Sequence, residues 1–127
     1  MEEVQKTVLI IDNSAALRKM VVHALSIFDF KVLEAENVII AEKLLEKNNV
    51  DLILLDWMIP GKNGYEFFIE LKENERLCKV PVIMITAERG KDKMLKAVRS
   101  GIKYYITKPF THEDLLARVI QVLKLSI

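Results

Sequence analysis

The chain has 127 residues, of which 51% are hydrophobic, so it is long enough and apolar enough for one domain with a full core. Its 19 basic and 18 acidic residues leave a net charge of +1, which excludes a general electrostatic attraction to nucleic acid or to a membrane surface. The chain has one cysteine, no apolar run near the roughly 20 residues of a membrane span, and no signal peptide. These features predict a reducing, cytoplasmic setting.

Five short runs predict strands, four of them strongly apolar and one half polar. In chain order they are VLII (8–11), KVLEA (31–35), LILL (52–55), VIMI (82–85) and YYI (104–106). Runs that are apolar on both faces are typical of parallel strands covered by helices on both sides. The half-polar run, KVLEA, is predicted to be an edge strand.

Helical periods alternate with these strands. The five apolar stripes are Leu17, Val21, Ala24, Leu25 and Phe28; Ala41, Leu44 and Leu45; Gly64, Phe67, Phe68 and Leu71; Met94, Ala97 and Val98; and Leu115, Leu116, Val119, Ile120 and Leu123. Gly101 is expected to end the fourth helix, and Thr111 with Asp114 to begin the fifth in a capping box. Strict alternation predicts a doubly wound α/β fold whose ligands bind beyond the carboxyl ends of the strands, and it leaves the strand order open.

Polar residues are concentrated where the predicted strands end. Asp12 and Asn13 follow the first strand, Asp56 ends the third, Thr86 ends the fourth, and Lys108 follows the fifth. Aspartate and lysine are poor strand residues, so strand propensity does not explain this set. Because a buried carboxylate is costly unless it is paired, we predict that these side chains meet in one site.

These motifs are similar to those of the receiver domains of response regulators. The matching stretches are LIIDNS (9–14), LLDWMIPGKNGYEF (54–67), VIMITA (82–87) and YITKPF (105–110), in a match from Thr7 to Leu125. Trp57 and Tyr105 make the chain most similar to single-domain, chemotaxis-type members. The resemblance implies a flavodoxin-like, five-stranded parallel sheet in the order 2-1-3-4-5 with five helices on both faces. It also implies one receiver domain over residues 1–127, with no output domain.

The resemblance further implies a phosphotransfer role for the strand-end residues. Asp56 would be the phospho-acceptor, taking a phosphoryl group from a histidine of a sensor kinase or phosphotransfer protein. Mg²⁺ or Mn²⁺ would be held by Asp12, Asp56 and the backbone carbonyl of Met58. Thr86 and Lys108 would bind the phosphoryl group. Such a protein is a switch that catalyses only its own phosphorylation and dephosphorylation, and is not an enzyme with a separate substrate.

The remaining implied roles concern the switch and its lifetime. The Lys108–Pro109 peptide is expected to be cis. Tyr105 would rotate inward on phosphorylation, and the surface of the fourth helix, fifth strand and fifth helix would then control a downstream protein, without nucleic acid or membrane. Met58 and Glu88 are expected to tune the phosphoryl lifetime, with slow hydrolysis because Met58 is apolar. The exposed residues expected on that surface are Lys91, Lys93, Lys96, Arg99, Lys103, Tyr104 and Arg118. They form a basic face that fits either an acidic partner or a merely solvated helix face. The alternative for the two tyrosines is that Tyr104 and Tyr105 exchange their roles.

Asn13 departs from the pattern of the family. Typical members carry two adjacent acids after the first strand, and here the second is an amide. With Asp12, Asp56 and Lys108 the formal charge of the site is −1, where the usual set gives −2. We therefore expect Asn13 to be a weak, neutral metal ligand and the site to bind the metal less tightly, and we expect Asn13 also to cap the first helix.

Other functions are weighed against this one. The live alternative is a pseudo-receiver, a phosphorylation-independent protein-binding module, which only Asn13 favours. A flavodoxin would need a phosphate loop in place of DNSAAL, and a haloacid-dehalogenase-type phosphatase would need an acid in place of Met58. No Ser or Thr follows either GK pair, which excludes a phosphate-binding loop of the NTPase type. His23 and His112 lack the spacing of metal ligands and are expected on the surface, as is Ile39.

Overall fold

A computed structural model describes residues 5–59, 61, 63–87, 99 and 101–125. The strands are β1 (Thr7–Ile11), β2 (Lys31–Ala35), β3 (Leu52–Asp56), β4 (Val82–Thr86) and β5 (Tyr104–Thr107). The helices are α1 (Ala15–Ala24), followed by a 3-10 turn (Leu25–Ile27), α2 (Val38–Lys47), α3 (Gly64–Glu73) and a C-terminal helix (His112–Leu123). The predicted fourth helix, with Met94, Ala97 and Val98, lies outside the described residues.

The five strands form one parallel sheet in the order β2-β1-β3-β4-β5. This confirms the predicted order and the edge position of KVLEA. The strands β1, β3 and β4 are buried along their whole length, whereas β2 has two exposed residues, Lys31 and Glu34. Burial on both faces explains why the inner strands are continuously apolar, since neither face meets water.

Two apolar layers cover the sheet, one on each face. Successive strand side chains point to opposite faces, so Leu9 and Ile11 pack with residues of α2 and α3. Val8 and Ile10 pack with residues of α1 and the C-terminal helix. Each such side chain contributes about 1.5–3 kcal/mol when fully buried. In the part of the chain that is described, no helix is long and apolar enough to cross a membrane.

The helix starts follow local capping chemistry, with one correction. The C-terminal helix begins with the predicted capping box, in which Thr111 and Asp114 each accept the other's backbone N–H. The prediction that Asn13 caps α1 is wrong, because the cap is Ser14, whose side chain accepts the N–H of Leu17 at 3.1 Å. The N–H of Ser14 donates to Asp12 Oδ1 at 2.8 Å, and this turn moves the helix start one residue onward. Asn13 is left exposed.

Candidate functional site

The buried polar side chains are concentrated at the carboxyl edge of the sheet. Among the described residues four polar or charged residues are buried, namely Thr7, Asp12, Asp56 and Thr86. All but Thr7, which begins β1, lie at the carboxyl ends of strands. In the register of β1 and β3, Ile11 lies beside Leu55, so the two aspartates that follow are level with each other. The parallel sheet therefore brings together acids that are far apart in the sequence.

Lys108 joins the two carboxylates. Its Nζ lies 3.1 Å from Asp12 Oδ2 and 3.4 Å from Asp56 Oδ2. The carboxylates are almost fully buried, with 1% and 6% of their side chains exposed, whereas 27% of the lysine side chain is exposed. The backbone N–H of Lys108 donates to the carbonyl of Thr86 at 2.8 Å, and the Lys108–Pro109 peptide is cis. One ammonium thus compensates two buried acids, and the cluster keeps a formal charge of −1.

Asp12 is held on three sides. Its Oδ2 meets Lys108, its Oδ1 accepts the N–H of Ser14, and its carbonyl accepts Arg18 Nη1 at 2.6 Å. The same guanidinium pairs with Glu34 of β2, Nε to Oε1 at 3.1 Å. Arg18 therefore ties the end of β1 to α1 and β2. This role of Arg18 is not visible in the sequence, since the resemblance concerns only the strand-end residues.

Asp56 has weaker support. Its Oδ1 accepts the N–H of Met58 at 3.2 Å, and its Oδ2 meets Lys108 at the longer of the two distances. Burial raises the pKa of Asp56 above its ordinary value, and the neighbouring Asp12 carboxylate raises it further, while Lys108 and the Met58 N–H lower it in part. Asp56 is therefore a buried carboxylate whose charge is only partly compensated.

Gly64 permits the close approach of α3 to the end of β3. Its N–H donates to the Trp57 carbonyl at 2.8 Å, and a Cβ at this position would lie 2.1 Å from the backbone carbonyl oxygen of Asp56. Only glycine fits against that backbone. In the sequence, Gly64 belongs to an apolar stripe and this contact is not visible, although the GKNG stretch (61–64), which begins five positions after Asp56, is a signal for a tight turn.

The other predicted residues divide between the site edge and the surface. Thr86 is 2% exposed at the end of β4, and Met58 is 60% exposed. Tyr105 is 41% exposed and borders a cavity of about 390 Å³ that Arg118 also lines. The expectation that Tyr104 is exposed is wrong, because it packs beside Ile106 on the inner side of β5.

Some of the predicted surface falls outside the description. Glu88, Lys91, Lys93 and Lys96 are not among the described residues. Arg99 and Lys103 are exposed, whereas Arg118 is half-buried and donates to Gln121 Oε1 at 2.8 Å. Of the described members of the predicted basic face, Arg99 and Lys103 are thus exposed as predicted.

The donors at this edge suit a hard cation. Two carboxylates converge on one ammonium, and the amide of Asn13 and the backbone carbonyl of Met58 belong to the adjoining loops. Oxygen donors of this kind are those that Mg²⁺ prefers. Within the described ranges no group of three His, Cys, Asp or Glu residues is assembled. A cation here would therefore need neutral oxygens or water besides the two acids.

Comparison with known proteins gives one family. Residues 8–120 match the family model described as the response regulator receiver domain. The phosphate regulon transcriptional regulatory protein PhoB of Pseudomonas aeruginosa is 41% identical over 121 residues, which cover 95% of this chain and 53% of that protein. The chain thus spans about half the length of this curated relative.

Chemotaxis proteins match over nearly their whole length. Chemotaxis protein CheY1 of Helicobacter pylori is 33% identical over 117 residues, which cover 91% of this chain and 94% of that protein. The solved structure of the chemotaxis response regulator CheY4 of Vibrio cholerae superposes with a TM-score of 0.87 at 28% identity, over 94% of this chain and 100% of that one. The predicted likeness to chemotaxis-type receivers is confirmed.

Proposed function

Because the chain belongs to the response regulator receiver domain family, whose members are phospho-acceptor switches in signalling, we propose that it takes a phosphoryl group onto Asp56. The donor would be a phosphohistidine of a sensor kinase or phosphotransfer protein. The observation that carries this proposal is the Lys108 ammonium, which lies within 3.4 Å of both Asp12 and Asp56 at the carboxyl edge of the sheet.

The side chains would divide the reaction as follows. An oxygen of the Asp56 carboxylate attacks phosphorus, so that a P–O bond forms while the P–N bond to the donor histidine breaks. Lys108 then contacts a phosphoryl oxygen. Asp12 holds that ammonium at the shorter distance, 3.1 Å, so Lys108 stays in place when its contact with Asp56 changes. Thr86, buried at the neighbouring strand end, would donate its hydroxyl to another phosphoryl oxygen.

A divalent cation is part of the proposal. Receiver domains of this family bind Mg²⁺ in an acidic pocket. Here Asp12, Asp56 and the Met58 carbonyl would hold Mg²⁺ or Mn²⁺, with the Asn13 amide as a neutral donor. When bound, the ion would neutralise charge that develops on the phosphoryl oxygens. Asn13 in place of an acid leaves the cluster at −1, so we propose a lower affinity than the usual charge of −2 would give.

The output would run through β5 and the elements beside it. Tyr105 is 41% exposed. Movement of Thr86 toward the phosphoryl group would leave space into which the Tyr105 ring could turn. The cavity beside Tyr105, lined also by Asp114, Arg118 and Gln121, would change shape with that turn. A downstream protein would read the change. Met58 is apolar and exposed beside the acceptor and would not orient an attacking water, which supports slow hydrolysis.

The test is phosphorylation by acetyl phosphate, followed by intact-protein mass spectrometry across a Mg²⁺ titration. The wild type should gain one phosphoryl group only when Mg²⁺ is present, and Asp56→Asn should gain none. Asp29→Asn is the matched control, because Asp29 is an exposed aspartate that accepts a 3.3 Å hydrogen bond from Gln5. It should react like the wild type.

The second candidate function is the pseudo-receiver, and Asn13 is the observation that favours it. In that case the wild type would remain unmodified at every Mg²⁺ concentration. Binding of a partner to the β5 surface would then be the same for wild type and Asp56→Asn. The phosphotransfer function is better supported than the pseudo-receiver, because the strand ends carry the full set of Asp12, Asp56, Thr86 and Lys108.

A further inference from the structure

The two histidines of the chain, which are distant in the sequence, lie next to each other. The ring centroids of His23 and His112 are 5.6 Å apart, and the ring planes are inclined by 59°. Both residues are exposed. Their separation in the sequence gave no sign of a shared site, so this pair is a product of the tertiary fold.

Rigid elements hold both backbones in place. His23 lies in the last turn of α1, between Val21 and Ala24, which are buried. His112 is the first residue of the C-terminal helix, directly after the capping residue Thr111, and Leu115 in the same turn is fully buried. Side chains on packed helices are positioned more accurately than side chains on loops. The two rings are therefore presented to solvent from a fixed framework.

The spacing of the rings matches that of two imidazoles bound to one metal ion. An ion held at about 2.0–2.1 Å from one nitrogen of each ring lies about 3.2 Å from each ring centroid, so a tetrahedral angle places the centroids about 5.2 Å apart. The observed 5.6 Å differs from this by a few tenths of an ångström. Since both rings are exposed, small rotations are enough to bring a nitrogen of each toward a shared ion.

We propose that His23 and His112 form a two-histidine site for one transition-metal ion of the borderline class, Cu²⁺, Ni²⁺ or Zn²⁺. Among the residues described, no third His, Cys, Asp or Glu joins such a group, so water fills the remaining positions and the ion exchanges readily. Imidazole nitrogens select these ions over Mg²⁺, which prefers oxygen. A bound ion links α1 to the C-terminal helix. The site is independent of phosphorylation at Asp56.

Histidine side-chain NMR tests the proposal directly, because the chain has only two histidines and so only two ring spin systems. The untagged protein is titrated with Ni²⁺, Cu²⁺ or Zn²⁺ in an excess of Mg²⁺, which competes for the oxygen donors of the acidic site. Diamagnetic Zn²⁺ should shift the resonances of both rings in parallel, along one binding curve that is complete near one equivalent. Affinity should be highest for Cu²⁺. Rings that respond at clearly different metal concentrations would overturn the proposal.

Variants and stoichiometry complete the test. His23→Gln and His112→Gln should each weaken Zn²⁺ binding by at least about tenfold, because a single remaining imidazole cannot chelate the ion. Lys19→Gln, one turn before His23 on α1 and also exposed, should stay within about twofold of the wild type. Unfolding temperatures without metal check that all three fold. Equal affinity in all variants, or one ion shared between two chains in sedimentation, would contradict the proposed site.

Discussion

The ends of β1 and β3 carry the two buried carboxylates and hold them in different ways. At the end of β1, Asp12 receives three contacts, from Lys108, the Ser14 N–H and, at its carbonyl, Arg18. At the end of β3, Asp56 receives Lys108 at a longer distance and a 3.2 Å hydrogen bond from Met58. The loop after β1 therefore holds Asp12 firmly, whereas the loop after β3 leaves the negative charge of Asp56 less compensated.

This difference suits the two neighbouring aspartates to the different roles that we propose for them. An acid whose oxygens are already paired is suited to hold a cation or a lysine in position. An acid with a raised pKa and fewer partners keeps electron density available for attack. Environment separates the two aspartates, so a substitution in one loop should leave the other loop intact.

The largest effect is expected from Gly64→Ala, which acts on the β3 end alone. The added Cβ meets the Asp56 carbonyl oxygen at 2.1 Å and the Asp56 carbonyl carbon at 2.9 Å, and neither backbone atom is free to move. The free energy of unfolding should fall by about 3 kcal/mol in urea denaturation.

Gly61→Ala is the matched control. A Cβ there meets nothing within 4 Å, and only the positive φ of 88° opposes it, at about 1–2 kcal/mol. If Gly64→Ala cost no more than Gly61→Ala, α3 would not be packed against Asp56 as described.

Asn13→Asp should strengthen the β1 end as a cation site. It restores a second acid beside Asp12, and Mg²⁺ affinity should rise about tenfold, or about 1.4 kcal/mol, in a calorimetric titration. Asn49→Asp adds the same charge at an exposed position away from both loops and should leave the affinity nearly unchanged. Equal gains in both variants would point to the net charge of the protein and not to the site.

Asp56→Asn should stabilise the metal-free protein at neutral pH. Because the pKa of Asp56 is raised in the folded state, folding favours the protonated form, and the free energy of unfolding falls as pH rises from the ordinary pKa through the raised one. The amide carries no such penalty. Its advantage should appear as a higher Tm than that of the wild type at pH 7, and should vanish at a pH below both pKa values. An advantage that is constant with pH would mean that charge is not its cause.

The smallest effect is expected from Arg18→Gln at the β1 end. It removes the 2.6 Å hydrogen bond to the Asp12 carbonyl and the ion pair with Glu34, at about 0.5–1 kcal/mol in thermal unfolding. Glu34→Gln removes only the ion pair, whose glutamate is 42% exposed, and should cost less. Equal losses of unfolding free energy in the two variants would mean that Arg18 stabilises the protein through the ion pair with Glu34 and not through the hydrogen bond to the Asp12 carbonyl.

Sequence reasoning placed the strands and most of the helices closely, because their apolar periods follow from which faces are buried. KVLEA was correctly predicted as an edge strand, and the capping box at Thr111 followed from residue types three positions apart. Two predictions were wrong by one residue. The cap of α1 is Ser14 and not Asn13, and the exposed ring is Tyr105 and not Tyr104. These errors arise because a single hydrogen bond at Asp12, or the packing of Ile106, decides such positions.

The sequence by itself determined that Asp12, Asp56, Thr86 and Lys108 stand at strand ends, since burial on both faces makes each strand visible as an apolar run that stops at a polar residue. Only the tertiary structure decided which acid the lysine holds more closely, that Arg18 supports one loop, that Gly64 must lack a side chain, and that His23 meets His112. The reason is that these relations depend on contacts between elements that are distant along the chain. Differences of a few tenths of an ångström in those contacts decide how far a charge is compensated and whether a side chain fits. No local sequence pattern predicts differences of that size.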